Sequence, residues 1–133
     1  MDTHYSYLIR KLIPKLLDTV QPQLIIFQAG VGMLEVDSRK LMKLTRRGIR
    51  ERNQIVYDSA IKRKIPTLIT CGSSKSNENF DYNFNINNEE LFSEQQKRMR
   101  IQAEVEEIIE AHTDVYRDAI QSIVQHNHRS FYF

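Results

Sequence analysis

The stretch QLIIFQAGVGMLEVD, residues 23–37, decides how this chain is read. Leu24-Ile25-Ile26-Phe27 is an unbroken apolar run, the pattern of a parallel-sheet strand covered on both faces. The chain then passes into Ala29-Gly30-Val31-Gly32, with no His, Cys, Asp or Ser among those four residues. In open α/β sheets, sites are built at the carboxyl ends of the strands. A loop at that place without a reactive side chain is the question the rest of the sequence has to answer.

Outward from this stretch, the pattern is that of a βαβ unit. Upstream, Tyr5, Leu8, Ile9, Leu12, Leu16 and Val20 recur at helical spacing and predict a helix with one buried face. Pro14 lies inside that pattern, so the helix is expected to kink or break there. Gln21-Pro22 stops it, since a residue before proline avoids the α region. Downstream, residues 29–44 read as a long loop, a length usually tied to function in compact domains. Thr45 is positioned to cap a helix over 46–63, with Ile49, Ile55, Val56, Ala60 and Ile61 as its inner face. Ile65-Pro66 leads into Thr67-Leu68-Ile69-Thr70-Cys71, a second buried strand, and the crossover between the strands is expected to be right-handed.

Beyond Cys71 the composition shifts. Six Asn fall between Asn77 and Asn88, among several Ser. Both residue types favour turns and compete with regular backbone pairing. A charged helix follows to about residue 111, and Thr113 is placed to cap a last short helix carrying Tyr116, Ile120, Ile123 and Val124. The expected layout is an α/β segment over 1–75, a mobile Asn-rich insert over 76–88, a helical segment over 89–125 and a frayed tail over 126–133. The fold class is α/β: a partial parallel sheet with flanking helices and a helical C-terminal tail.

Bulk properties exclude several function classes. The chain has 133 residues, the size of one domain, and is 41% hydrophobic and 27% charged. A net charge of +2 gives no reason to expect nucleic acid as a partner. Mean hydropathy is −0.51, and no apolar run approaches the roughly 18 residues of a membrane span. The single cysteine, Cys71, allows no internal disulfide and fits a reducing, intracellular compartment, nuclear or cytoplasmic. The opening Met1-Asp2-Thr3-His4 lacks the pattern of a signal peptide.

Across residues 7–74 the motifs resemble the C-terminal part of the zinc-dependent histone deacetylase family, most of all its class IV branch. Pro22, the apolar strand, Ala29-Gly30, Leu34-Glu35, Asp37, Leu44-Thr45, Gly48-Ile49, Arg52, Val56, Ala60 and Ile65-Pro66 follow the family's order and spacing. Further on, TDVYRDAIQSI (residues 113–123) is similar to the family's closing helix. The resemblance implies the C-terminal portion of the arginase/deacetylase fold. It also implies where the chemistry has been lost. The family's loop reads A-G-T-D-x-L-x-G-D, and its first Asp binds zinc; Gly32 stands at that position here, and Val31 stands where Thr is usual. The family's G-G-Y tyrosine, which stabilises charge on the acyl oxygen, is matched by Lys75. The remaining ligands and the His-His acid/base pair lie upstream of the matched part. No catalytic residue, cofactor or metal is therefore expected. The loop reads as an active-site loop without its metal ligand, and the chain as a catalytically inactive fragment or remnant. Two alternatives stand beside it: a helix-mediated interaction module binding a protein partner through 89–125, or the C-terminal piece of a longer zinc-dependent lysine deacetylase.

Each remaining feature has a plain structural reading. Gly32 fits a turn glycine, Asp37 a turn or cap residue, and Lys75 a solvated loop lysine. Ala29-Gly30-Val31-Gly32 lacks the G-x-G-x-x-G pattern and is over ten residues from the next helix, which argues against a phosphate loop. Cys71 reads as a small buried hydrophobe, and His126 and His128 as tail residues rather than ligands. Arg46, Arg47, Arg50 and Arg52 read as one solvated helix face. The apolar positions within 95–110 hold no clean heptad, so a coiled coil is not expected. Limited proteolysis checks the layout: the first cuts are expected within 76–88. Early cuts within 24–27 or 67–71, with 76–88 spared, would contradict it.

Overall fold

A computed structural model describes residues 2–37, 42–72 and 88–130; Lys75 and all of the 76–88 insert but its last residue lie outside them. Five elements follow in order: α1 (Asp2–Val20), β1 (Ile25–Gln28), α2 (Arg46–Lys62), β2 (Thr67–Thr70) and α3 (Asn88–Ser130). The described chain is mostly helical, with one small sheet, and fits the α/β class only in this loose sense. β1 and β2 pair in parallel with Ile25 opposite Thr67 and Gln28 opposite Thr70. The strand, helix, strand order is therefore as the sequence predicts, with boundaries within one residue.

α2 is the central element, packed between α1 and α3. Thr45 caps it as expected: its hydroxyl accepts from the Gly48 N–H at 3.2 Å. A second cap comes from α1, where the Asp2 carboxylate accepts from the Thr45 N–H at 3.0 Å. Gly48 makes room for it, since a Cβ there would sit 2.7 Å from the Asp2 carboxyl carbon. A carboxylate at a helix N-terminus also meets the positive end of the helix dipole. α1 and α2 end on residues with positive φ, Gln21 at 48° and Lys64 at 56°. Both form left-handed C-terminal turns in which freed N–H groups bond back to the helix, such as Ile65 N–H to Ala60 O at 3.0 Å.

Four expectations are corrected. α1 runs unbroken through Pro14. Proline removes one backbone hydrogen bond, but α1 is tied to α2 on both sides of it. Ser6 and Arg10 bond Glu51 before the proline, and Asp18 accepts from Arg63 at 2.7 and 2.9 Å after it. The apolar stripe of α1 is not buried: Leu8, Leu12, Leu16 and Val20 are exposed, and Ser6 and Leu17 face inward. The strands are covered on one face only. Phe27 packs edge-on against Tyr57, with ring centroids 5.7 Å apart, while Ile26 on the other face is 66% exposed. Finally, there is no break near residue 112. α3 is one helix to Ser130, and the Thr113 hydroxyl donates to Ile109 O inside it rather than capping a new start.

The core is small. Ala29, Val31, Leu34, Leu44, Ile49 and the α3 residues Ile108, Ala111 and Val115 form its centre. Beside it, α2 and α3 are joined by polar pairs. Arg46 bonds Asp114 and Glu110, Arg50 bonds Asp118 at 2.9 and 3.0 Å, Asn53 donates to Asp118 at 3.2 Å, and Tyr57 donates to Val115 O at 3.0 Å. Asp114 is fully buried. Burial pushes its carboxyl pKa up, but the Arg46 hydrogen bond and the charges of Arg46, Arg50 and Arg117 outweigh that. The group is held below the usual carboxylate range. A carboxyl with a lowered folded-state pKa stabilises the fold above its unfolded value, about 3.9, and that contribution is lost as pH falls through the folded value. Urea denaturation at stepped pH should show stability falling from about pH 4 downward. Asp114→Asn should cost about 3 kcal/mol at pH 7 by removing the buried charge that Arg46 and Arg117 bond, and its acid slope should be shallower than that of the wild type. An unchanged slope would remove Asp114 from this account.

Candidate functional site at the strand ends

Both strands end at one place, and the loop after β1 is bound there by the backbone. Ala29 N–H donates to Thr70 O at 2.8 Å, which extends the sheet ladder by one bond. Gly30 and Gly72 then touch. A Cβ on Gly72 would lie 2.6 Å from the Gly30 Cα, and one on Gly30 would lie 3.1 Å from the Gly72 Cα. The approach, just past both strand ends, excludes a side chain at Gly72 and leaves little room for one at Gly30. Further along the loop, Leu34 and Leu44 form an isolated parallel bridge, with Leu44 N–H donating to Met33 O and Glu35 N–H to Leu44 O, each at 3.0 Å. Ala29, Val31, Leu34 and Asp37 are fully buried. The loop is thus part of the core and not an open rim.

Arg52 holds it there. Its side chain is almost wholly buried, and its guanidinium donates to Gly30 O at 2.7 Å, to Ala29 O at 3.3 Å and to Asn53 Oδ1 at 2.8 Å. It also lies 5.3 Å over the Phe27 ring. The expected solvated arginine face is therefore corrected. Arg52 is a buried clamp, and Arg46 and Arg50 are committed to acids of α3. Counting along α2 gives the signal for this: Ile49, Arg52, Asn53, Val56 and Ala60 lie on one helical stripe.

α3 closes the site from one side. His112 Nε2 sits 3.0 Å from Gly72 O, and its Nδ1 is 2.9 Å from Ile108 O. Cys71 Sγ is 2.7 Å from the Tyr116 hydroxyl. The hydrogen bond to the thiol, together with its charge and burial, raises the Tyr116 pKa. Cys71 is exposed, which corrects its reading as a buried hydrophobe; β2 ends at Thr70 and leaves it outside the sheet.

The sequence-derived site residues fare unequally. Gly32 sits in the loop, partly buried, and brings no donor atom. Asp37 is buried, and its N–H donates to Leu34 O at 3.1 Å, so it belongs to the loop's own structure. Lys75 lies outside the described residues. His126 is on α3, with Nδ1 2.9 Å from Ser122 O and 3.9 Å from Asp58 Oδ1, remote in sequence from the strand ends. Zinc in the resembled family requires about three protein ligands. Here Gly32 stands at the resembled ligand position, and the nearby imidazole lies within hydrogen-bond distance of two carbonyl oxygens, to one of which it donates. Among the described residues no group of three or more His, Cys, Asp or Glu side chains is placed to hold a metal ion.

No family model, no curated protein and no solved structure matches the chain. The deacetylase resemblance therefore stands on its own motifs. What the geometry establishes is a packed strand-end junction of two glycines, a buried arginine and a covering helix.

Two measurements probe this junction. Gly72→Ala forces backbone against backbone and should destabilise by about 1–3 kcal/mol. Arg52→Met keeps the bulk but leaves two carbonyls without their donor, and should cost about 2–4 kcal/mol. Both are read by urea denaturation, and losses under about 0.5 kcal/mol, the ordinary range for surface changes, would show that the strand ends are not held this way.

Proposed function

We propose that this chain is a non-catalytic protein-association module built on a deacetylase-like α/β segment. One observation carries the reading: the large apolar side chains left uncovered. Leu12 is 59% exposed, Ile26 66% and Ile120 64%, and they belong to α1, the sheet and α3 respectively. Single exposed apolar residues are ordinary, but runs of them on ordered elements mark surfaces that another molecule covers. The sheet adds to this. Among the described residues the sheet has two parallel strands, no third, and one bare face, an unfinished layer, since parallel sheets are normally covered on both sides.

The site chemistry supports the non-catalytic half of the reading. Metal-assisted amide hydrolysis needs an activated water, a polarised acyl oxygen and a proton carrier. The positions that would supply the ligand and the oxyanion donor are Gly32 and Lys75, and the loop is packed around Arg52. No helix of the described residues is long and apolar enough to cross a membrane, so the uncovered surface is not explained by a span.

The experiment separates an association surface from the chain's own core. Leu12→Gln, Leu16→Gln and Leu68→Thr change only exposed side chains. Together they should lower stability by less than about 1 kcal/mol and reduce binding of an apolar dye. A loss in the range of core truncations, about 2–5 kcal/mol each, would mean these faces are buried within the chain and would overturn the reading. The purified chain is further expected to hold less than one-tenth of a zinc per molecule, about the level of contamination, and to leave acetyl- and long-chain acyl-lysine peptides uncleaved. Hydrolysis abolished by a chelator would refute the non-catalytic half.

A further inference from the structure

α3 carries two heptad seams on nearly opposite faces. The buried one runs Ile101, Glu104, Ile108, Ala111, Val115, Asp118 and Ser122, in alternating steps of three and four, and faces α2 and the core. The second runs Ile109, Thr113, Tyr116, Ile120 and Ile123, again in steps of four and three, and every member is exposed. It is absent over 100–108, which is why no clean heptad is visible within 95–110, and becomes apolar only from Ile109 onward. The five positions span about two heptads, enough for a short seam with a partner helix. Tyr116 at its centre also meets Cys71 Sγ at 2.7 Å, and the isoleucines on either side of it are more than half exposed.

We propose that a second copy of this chain occupies the outer seam, as an antiparallel helix pair with two-fold symmetry. This deepens the association role above and rests on it. The argument for a second copy is self-complementarity. Set Thr113 of one copy level with Tyr116 of the other. Ile109 then meets Ile120 of the second copy, and the small Thr113 meets the large Tyr116, each contact occurring twice. In the same register Glu110 faces Arg117 of the second copy, also twice. The two side chains are 51% and 53% exposed. Each makes one described contact within its own chain, Glu110 Oε2 with Arg46 and Arg117 Nη1 with Asp114. The carboxylate's second oxygen and the guanidinium's other N–H groups remain available to the second copy. A parallel pair would instead bring His112 toward Arg117 and stack Thr113 on itself. An isologous antiparallel contact also closes, so it makes dimers and not fibres.

The seam is short, so the dimer is expected to be weak, and the test spans concentration. Sedimentation equilibrium of the full chain across about 1 µM to about 1 mM should show a monomer–dimer transition. Ile109→Asn with Ile120→Asn should move its midpoint at least about tenfold upward, with circular dichroism unchanged. A charge-swap set gives a second reading, taken beside urea denaturation because Arg117 also pairs with Asp114 and Glu110 with Arg46: Arg117→Glu weakens the dimer, and Glu110→Arg added to it restores it. Orientation is read by spin labels on Arg100→Cys in a Cys71→Ser background. Position 100 of one copy lies level with position 129 of the other, so at about 1.5 Å per residue the labels should be at least about 43 Å apart, against under about 20 Å in a parallel pair. A monomer throughout, a dimer indifferent to the seam substitutions, or a short label distance overturns the proposal. A dimer that responds only to Leu12, Leu16 and Leu68 overturns the seam and leaves the association role standing.

Discussion

The pairing of Arg46 and Arg50 with Asp114 and Asp118 is the interaction on which the rest of the molecule depends. α2 packs against both other helices, and these pairs tie the 43-residue α3 to it beside the small core the two share. The acids of this pairing are buried while the arginines are partly exposed, so each cation keeps part of its hydration and the carboxylates give up theirs. Such an arrangement is stable only while both partners remain. It lets a chain with few core residues hold a long helix in place, because charge-assisted hydrogen bonds to planar guanidinium groups fix geometry as well as energy.

The same commitment determines what is left uncovered. Once α3 turns its acidic and small residues toward α2, its isoleucines at 109, 120 and 123 can only face outward. α1 does likewise: Ser6, Arg10 and Asp18 tie it to α2, and the leucine stripe is left in solvent. Both helices therefore display a second apolar face beside the one that meets the fold: α1 is held mainly by polar contacts, and α3 by polar pairs together with Ile108, Ala111 and Val115 in the core. This makes the unfinished sheet one instance of a general property of the chain rather than an isolated gap.

The order of strand, helix and strand was legible because it depends on local signals: an apolar run, a Thr cap, Ile-Pro before a second run. What covers each face was not legible. A four-residue apolar run predicts burial on both sides, yet no pattern within the run says whether this chain supplies the second cover. Continuity of α3 was hidden for a related reason. Thr113 is a good cap by itself, and only the burial of Asp114 and Asp118 against α2 keeps the helix going past it. At the strand ends, Gly32 and Lys75 came from resemblance, whereas Arg52 was readable from helical counting and was passed over because arginine is seldom buried. The Gly30 and Gly72 contact could not be read at all, since it joins positions 42 residues apart through the backbone.

Charge by itself does not set the register of α2 on α3. Arg46 with Asp114, Arg50 with Asp118 and Asp58 with His126 are each 68 residues apart, so the two helices run in the same direction in step. Sliding α3 by one turn would set Arg46 on Glu110 and Arg50 on Asp114, and the ion pairs would survive; indeed Arg46 already bonds Glu110, and Arg50 lies 3.9 Å from Asp114. What such a slip would lose is neutral and specific. Asn53 would leave Asp118, Tyr57 would leave the Val115 carbonyl, and Ala111 and Val115 would move out of step with Leu34 and Ile49. The charges thus hold the helices together, and the buried amide, phenol and small apolar side chains choose among the registers the charges allow. That choice also fixes which residues of α3 point outward, because a helix locked along one face has no freedom left to turn the other.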